Sequence, residues 1–97
     1  MKSPAAVAVD VTIDMLLEAV KTLGLPMSSD QRVSEESAAK LLGISHRHLK
    51  DLRRGKNTNA PVHFVLGVAG SRLSYRVSHL ASWIEAGRAN QHRVRRW

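Results

Sequence analysis

The stretch SAAKLLGISHRHLKDL, residues 37–52, constrains this chain more than any other part of it. Two helical patterns of about two turns each are separated only by Gly43, Ile44 and Ser45. Ser34 precedes Glu35 and Glu36, whose charge suits a helix N-terminus, so one helix is expected from about Glu35 to Leu42. Ala38, Leu41 and Leu42 line its inner face, and the small Ala39 permits close approach of the next helix. Gly43 allows a left-handed turn, and Ser45 can cap a helix that begins at His46. At about 100° per residue, Leu49 and Leu52 then point one way while Arg47, Lys50, Asp51 and Arg54 point the other. His46 and Arg53 flank one side of that face, and His48 the other. A helix anchored by Ile44 and two leucines thus presents a cationic surface, as a DNA recognition helix would.

With 97 residues the chain makes one small domain, too modest for an elaborate enzyme. The net charge of +7 is unevenly placed. Residues 1–30 carry two basic against four acidic side chains, a net of −2, and residues 31–97 carry thirteen against four, a net of +9. Such an imbalance points to a polyanionic partner, nucleic acid ahead of an anionic membrane, because no long apolar helix accompanies it. Without cysteine there are no disulfides and no thiolate metal sites, and a cytoplasmic, nucleoid-associated location is expected. The start, MKSPAAVAVD, is too short in its apolar run for a signal peptide, so residues 1–9 are expected to form a flexible lead-in. No stretch approaches the roughly 20 apolar residues of a membrane span.

An N-terminal amphipathic helix is expected over residues 10–24, with Asp10 or Thr12 as its cap and Ile13, Leu16, Leu17, Val20 and Leu23 as its stripe. Gly24 and Pro26 end it, and its acidic character turns it away from a polyanion. The stripe is expected to pack on its own domain, with a dimer contact as the alternative. MSSDQR reads as a polar linker. Further on, APVHFVLGVAGSRLSYRV alternates like a β-hairpin, with Val62 to Leu66 and Arg72 to Val77 flanking a turn at Gly67 to Ser71. Ser78 can cap a last helix, HLASWIEAG, whose Leu80, Trp83 and Ile84 close the core. Tyr75 and Trp83 are expected as core or core-edge anchors. The fold class is therefore mainly α with a small β-hairpin, comprising a main domain at residues 32–87 and a basic tail at 88–97.

Ala38, Ala39, Leu42, Gly43, Ile44, Leu49 and Leu52 stand at the small, apolar and glycine positions of the helix-turn-helix motif, which this segment resembles. From Val33 to about Ala86 the chain resembles the winged helix-turn-helix domains of phage excisionases, AlpA-like regulators and the related MerR superfamily. The marks are VSEESAAKLLGIS, LKDLRRGK and YRVSHLASW. Departures are His48 where a small hydroxyl residue is common, His79 in place of a frequent acid, and the long GKNTNAPVHF connection. The resemblance implies a winged helix-turn-helix with an additional N-terminal helix, its third helix in the major groove and its hairpin tip at an adjacent backbone or minor groove. It further implies an excisionase-type factor that binds and bends double-stranded DNA to steer an integrase. The alternative is a transcription regulator of a phage or mobile element.

Arg47 and Lys50, near the N-terminal half of the cationic face, are expected at base edges, since either side chain can satisfy guanine O6 and N7. Ser45 and His46 can touch a base or a phosphate. Arg53, Arg54 and Lys56 are expected on phosphates, as is Arg72 in the hairpin, while Arg76 either faces phosphate or pairs within the fold. Arg88, Arg93, Arg95 and Arg96 lie in a tail that is either solvated or laid along phosphates. His46 and His48 fall about 200° apart on a helix and cannot share an ion locally, so no metal is expected. One tyrosine, no cysteine and no acid–base cluster leave no catalytic site and no cofactor. One such domain contacts too little DNA to select a genomic site, so self-association on DNA is expected of a chain that is monomeric when free.

Overall fold

Serine caps start the first three helices, and local hydrogen bonds close the turns after the first two. The computed structural model describes residues 3–55, 62–66 and 73–94, with side chains as far as residue 87. Among these, the order is α1 (Pro4–Leu23), β1 (Arg32–Ser34), α2 (Glu35–Leu42), α3 (His46–Arg53), β2 (Ser74–Arg76) and α4 (Val77–Val94). The chain is thus mainly helical with a small antiparallel sheet.

α1 starts six residues earlier than the sequence suggested, so residues 4–9 are helix rather than lead-in. Ser3 is the cap: its Oγ accepts from the Ala6 amide at 3.2 Å, and Pro4 occupies the first helical turn, where its missing N–H costs nothing. Ala5, Ala6 and Ala8 have the highest helix propensity and carry the helix on to Asp10. At the other end, Gly24 at φ 65° donates to the Lys21 carbonyl and the Leu25 amide donates to that of Val20. This pairing satisfies the last carbonyls and tucks Leu25 inward in place of Leu23, which is 56% exposed.

The same device ends α2. Gly43, at φ 73°, donates to the Lys40 carbonyl and the Ile44 amide to that of Ala39. Ser34 caps α2 by accepting from the Ser37 amide at 3.1 Å, and Ser45 caps α3 by accepting from His48 at 3.0 Å. Both short helices therefore have the bounds their sequence implies.

The polar segment 27–32 is a built turn. Ser28 donates its amide to the Arg32 carbonyl and accepts the Arg32 amide on its Oγ, while the Gln31 amide reaches the Ser28 carbonyl. Gln31, at φ 60°, is the one described non-glycine residue in the left-handed region. Its carbonyl accepts from the Val77 amide at 2.9 Å, which fixes the start of α4 against the start of β1. β1 then pairs antiparallel with β2, matching Arg32 with Arg76, Val33 with Tyr75 and Ser34 with Ser74. Ser74 also exchanges two backbone bonds with Val65, at 2.7 and 2.8 Å. That bridge joins the two flanks of the expected hairpin; the turn between them lies outside the described residues.

One core results. Val33, Ala38, Leu49, Val62, Tyr75, Val77, Leu80 and Ala81 are almost wholly buried, with Leu16 and Val20 of α1 closing it from outside. α1 packs chiefly on α4, so its stripe is used within the chain as expected. Thr12 Oγ1 donates to Glu85 Oε2 at 2.6 Å across that contact. Leu80 is buried as expected, and Trp83 and Ile84 are half-buried at the edge. α4 differs at both ends. It begins at Val77, which puts Ser78 inside the helix rather than at its cap, and its backbone runs to Val94. Gly87 costs a helix about 1 kcal/mol, but the alanine, glutamine and arginine residues that follow favour helix enough to pass through it.

Candidate nucleic-acid interface

α3 is held from below by Leu49, which is completely buried, and by Leu52 and Ile44 at the margin of the core. The opposite face carries Arg47 and Arg54, both exposed, and Lys50, half-buried. Among the described residues none of these three has an ion pair, although Asp51 shares their side of the helix. Three cations against one acid on α3 and its C-cap residue Arg54 make a strongly positive surface. The acids of the chain lie mostly elsewhere: Asp14 and Glu18 are exposed on α1.

The flank of α3 behaves differently. Glu35, the first residue of α2, receives three hydrogen bonds on one carboxylate. His46 Nε2 lies 2.9 Å from Oε1, while Arg53 Nε at 2.6 Å and the Tyr75 hydroxyl at 2.5 Å donate to Oε2. The carboxylate thereby joins α2 to both ends of α3 and to β2. Burial alone would raise the Glu35 pKa, but the bonds from Arg53, Tyr75 and His46 outweigh it and hold the group at about 2. The same bond raises the pKa of Arg53, and burial together with Glu35 raises that of Tyr75. Arg53 also lies over the Phe64 ring, its guanidinium carbon 5.5 Å from the centroid, and its side chain is only 14% exposed. Sequence reasoning took Glu35 for a helix-terminus charge, which it is. The partners come from 11, 18 and 40 residues away, and no local pattern announces them.

The expected contact residues therefore divide. Arg47, Lys50 and Arg54 are brought together on the outer side of α3. Ser45 is exposed, with its hydroxyl engaged in capping. His46 is exposed but tied to Glu35. Arg53, expected on phosphate, instead turns inward to Glu35 because α2 places a carboxylate beside the end of α3. Arg76 is exposed on β2, directly across from Arg32. Two arginines so placed repel, and Asp30 offsets one of them by accepting Arg32 Nε on both oxygens at 2.9 and 2.8 Å. Bonds from Ser28 and Arg32 hold the Asp30 carboxyl at about 2. Lys56 and Arg72 lie outside the described residues, as do Arg95 and Arg96.

Behind the sheet, His79 meets His63 edge to face, with ring centroids 5.8 Å apart. Its Nδ1 is buried without a partner among the described residues, and burial, with His63 and Arg76 nearby, pushes its pKa down. Among the described residues no group of three histidine or acidic side chains could hold a metal ion, and no helix is long and apolar enough to cross a membrane. Comparison of the chain with family models, curated proteins and solved structures finds no match in any of the three.

Proposed function

We propose that the chain is a sequence-specific binder of double-stranded DNA, built as a winged helix-turn-helix in which α3 is the recognition helix and the Val65–Ser74 bridge marks the base of the wing. The carrying observation is the outer side of α3, where Arg47, Lys50 and Arg54 stand without ion pairs among the described residues, over a helix fixed by the buried Leu49. Arg47 is the second residue from the Ser45-capped end of the helix, the end that reaches base edges in this geometry, and Lys50 follows about one turn later on the same side. Arg54 and Arg76 are placed for phosphates. Arg53 and His46 belong to the frame that orients α3.

Within that class the sequence resemblance favours an excisionase-type factor that bends DNA for an integrase. A transcription regulator of a mobile element uses the same reading head. Footprinting on the DNA flanking the protein's own gene, with bending measured on the protected fragment, separates the two. Protection of adjacent, similarly oriented sites with bending supports the recombination factor. Protection of one inverted repeat without bending supports the regulator, and absence of any duplex binding overturns both.

A further inference from the structure

Glu35 does more than join three elements. Two of its partners, Arg53 and His46, lie on the helix that carries the candidate contact residues. Arg53 sits at the C-terminal end of α3, where a long side chain on a recognition helix ordinarily reaches a phosphate. Its Nε is instead given to a carboxylate that is itself only 11% exposed, and its guanidinium is backed by the Phe64 ring. An arginine so held adds nothing to the counterion release that drives non-specific binding.

We propose that Glu35 is a positioning residue that withdraws Arg53 from the cationic side of α3, and so limits non-specific affinity for duplex DNA. This rests on the DNA-binding function proposed above and assigns a specificity device to that same site. Glu35 holds α3 at both ends while subtracting one cation, Arg53, from the surface the polyanion meets. Discrimination then depends on Arg47 and Lys50, which can read bases, with less contribution from a cation that would grip any phosphate. The Tyr75 hydroxyl donates to the same oxygen as Arg53 and keeps the carboxylate turned inward.

The test compares salt dependence for the wild type, Glu35→Gln, Arg53→Gln and the double variant. Each is titrated against a random-sequence duplex and against a duplex selected from a random pool by the wild type. Glu35→Gln keeps the size of the side chain and an acceptor for Tyr75 but loses the charge. It is expected to bind random duplex more tightly, with a salt slope steeper by about 0.9 for the released Arg53, and to lose discrimination several-fold. The double variant is expected to return to the wild-type slope. Arg53→Gln alone should leave the slope unchanged, since wild-type Arg53 makes no phosphate contact. That last measurement decides the matter even if Glu35→Gln fails to fold: a slope shallower by about 0.9 in Arg53→Gln overturns the proposal. So does a folded Glu35→Gln that weakens on both duplexes alike or keeps the wild-type slope. A flat salt response in the wild type is a different outcome, and it removes the DNA-binding function itself.

Discussion

Thr12 and Glu85 stand 73 residues apart in the chain and 2.6 Å apart in space, hydroxyl to carboxylate, across the contact between α1 and α4. Thr12 is buried, so its hydroxyl has no ready replacement in water. Thr12→Val keeps the shape and removes the donor, and is expected to cost about 1.5–3 kcal/mol in urea denaturation. A change within the error of the measurement would show that α1 contributes only apolar contact.

The turn between α2 and α3 is limited by backbone conformation rather than by space. Nothing lies within 4 Å of a Cβ built on Gly43, yet its φ is 73°. Gly43→Ala is therefore expected to lose about 1–2 kcal/mol through strain alone, with Gly43→Asn losing less because asparagine tolerates the left-handed region. Equal losses for the two would point to a steric cause instead.

Leu49 and Arg47 should separate stability from recognition. Leu49→Ala empties a completely buried site and is expected to cost about 2–5 kcal/mol of folding free energy. Arg47→Ala and Lys50→Ala change an outer surface and should leave thermal stability nearly intact. Each should cost about 1–3 kcal/mol of discrimination between a selected duplex and random DNA if it reaches a base edge. Loss of stability in Arg47→Ala would place that side chain in the frame of the fold.

Glu35, Asp30 and His79 all have lowered pKa values and together shape the acid limb of stability. The pKa of Glu35 is lowered from 4.5 to about 2 by its hydrogen bonds, so the unfolded chain takes up the proton first. Its contribution is complete above pH 4.5 and is lost as pH falls from there towards about 2. His79 is lowered from 6.5 by burial, so the unfolded chain again binds the proton first and stability begins to fall as pH drops below 6.5. Denaturation at a series of pH values should show two descending steps, the upper removed by His79→Gln and the lower, which Asp30 shares, reduced by Glu35→Gln. A single step near pH 4 that neither variant alters would contradict both assignments.

Leu16 and Val20 are consumed inside the chain, so the stripe of α1 is not available for a dimer. Sedimentation at micromolar concentration is expected to find a monomer, with any cooperativity appearing only on DNA. A stable dimer would direct attention to Val7, Val11 and Met15, which line the exposed side of α1.

Capping residues and glycines made α2 and α3 readable to the residue, because Ser34, Gly43 and Ser45 each act on neighbours within five positions. The apolar stripe of α1 was equally plain, but its start was not. Ser3 and Pro4 announce a helix only if the alanines after them are read as helix rather than as slack. β1 escaped notice because three residues are too few for alternation to register, and its support comes from residues 40 to 44 positions away. In the candidate interface the charges of α3 were legible and their division was not. Whether an arginine faces solvent or Glu35 depends on where β2 puts Tyr75, which is a property of the assembled fold.

The brevity of β1 also protects the molecule. Among the described residues β2 is the one strand paired with β1, and on the other side of β1 Ser28 already takes both backbone groups of Arg32. Open edges invite the strands of other chains and seed aggregation. Here the edge is 3 residues long, begins with an arginine and runs straight into the capping serine of α2. A stranger's strand would have to displace Ser28 and would then meet a helix, which leaves this edge little means to grow.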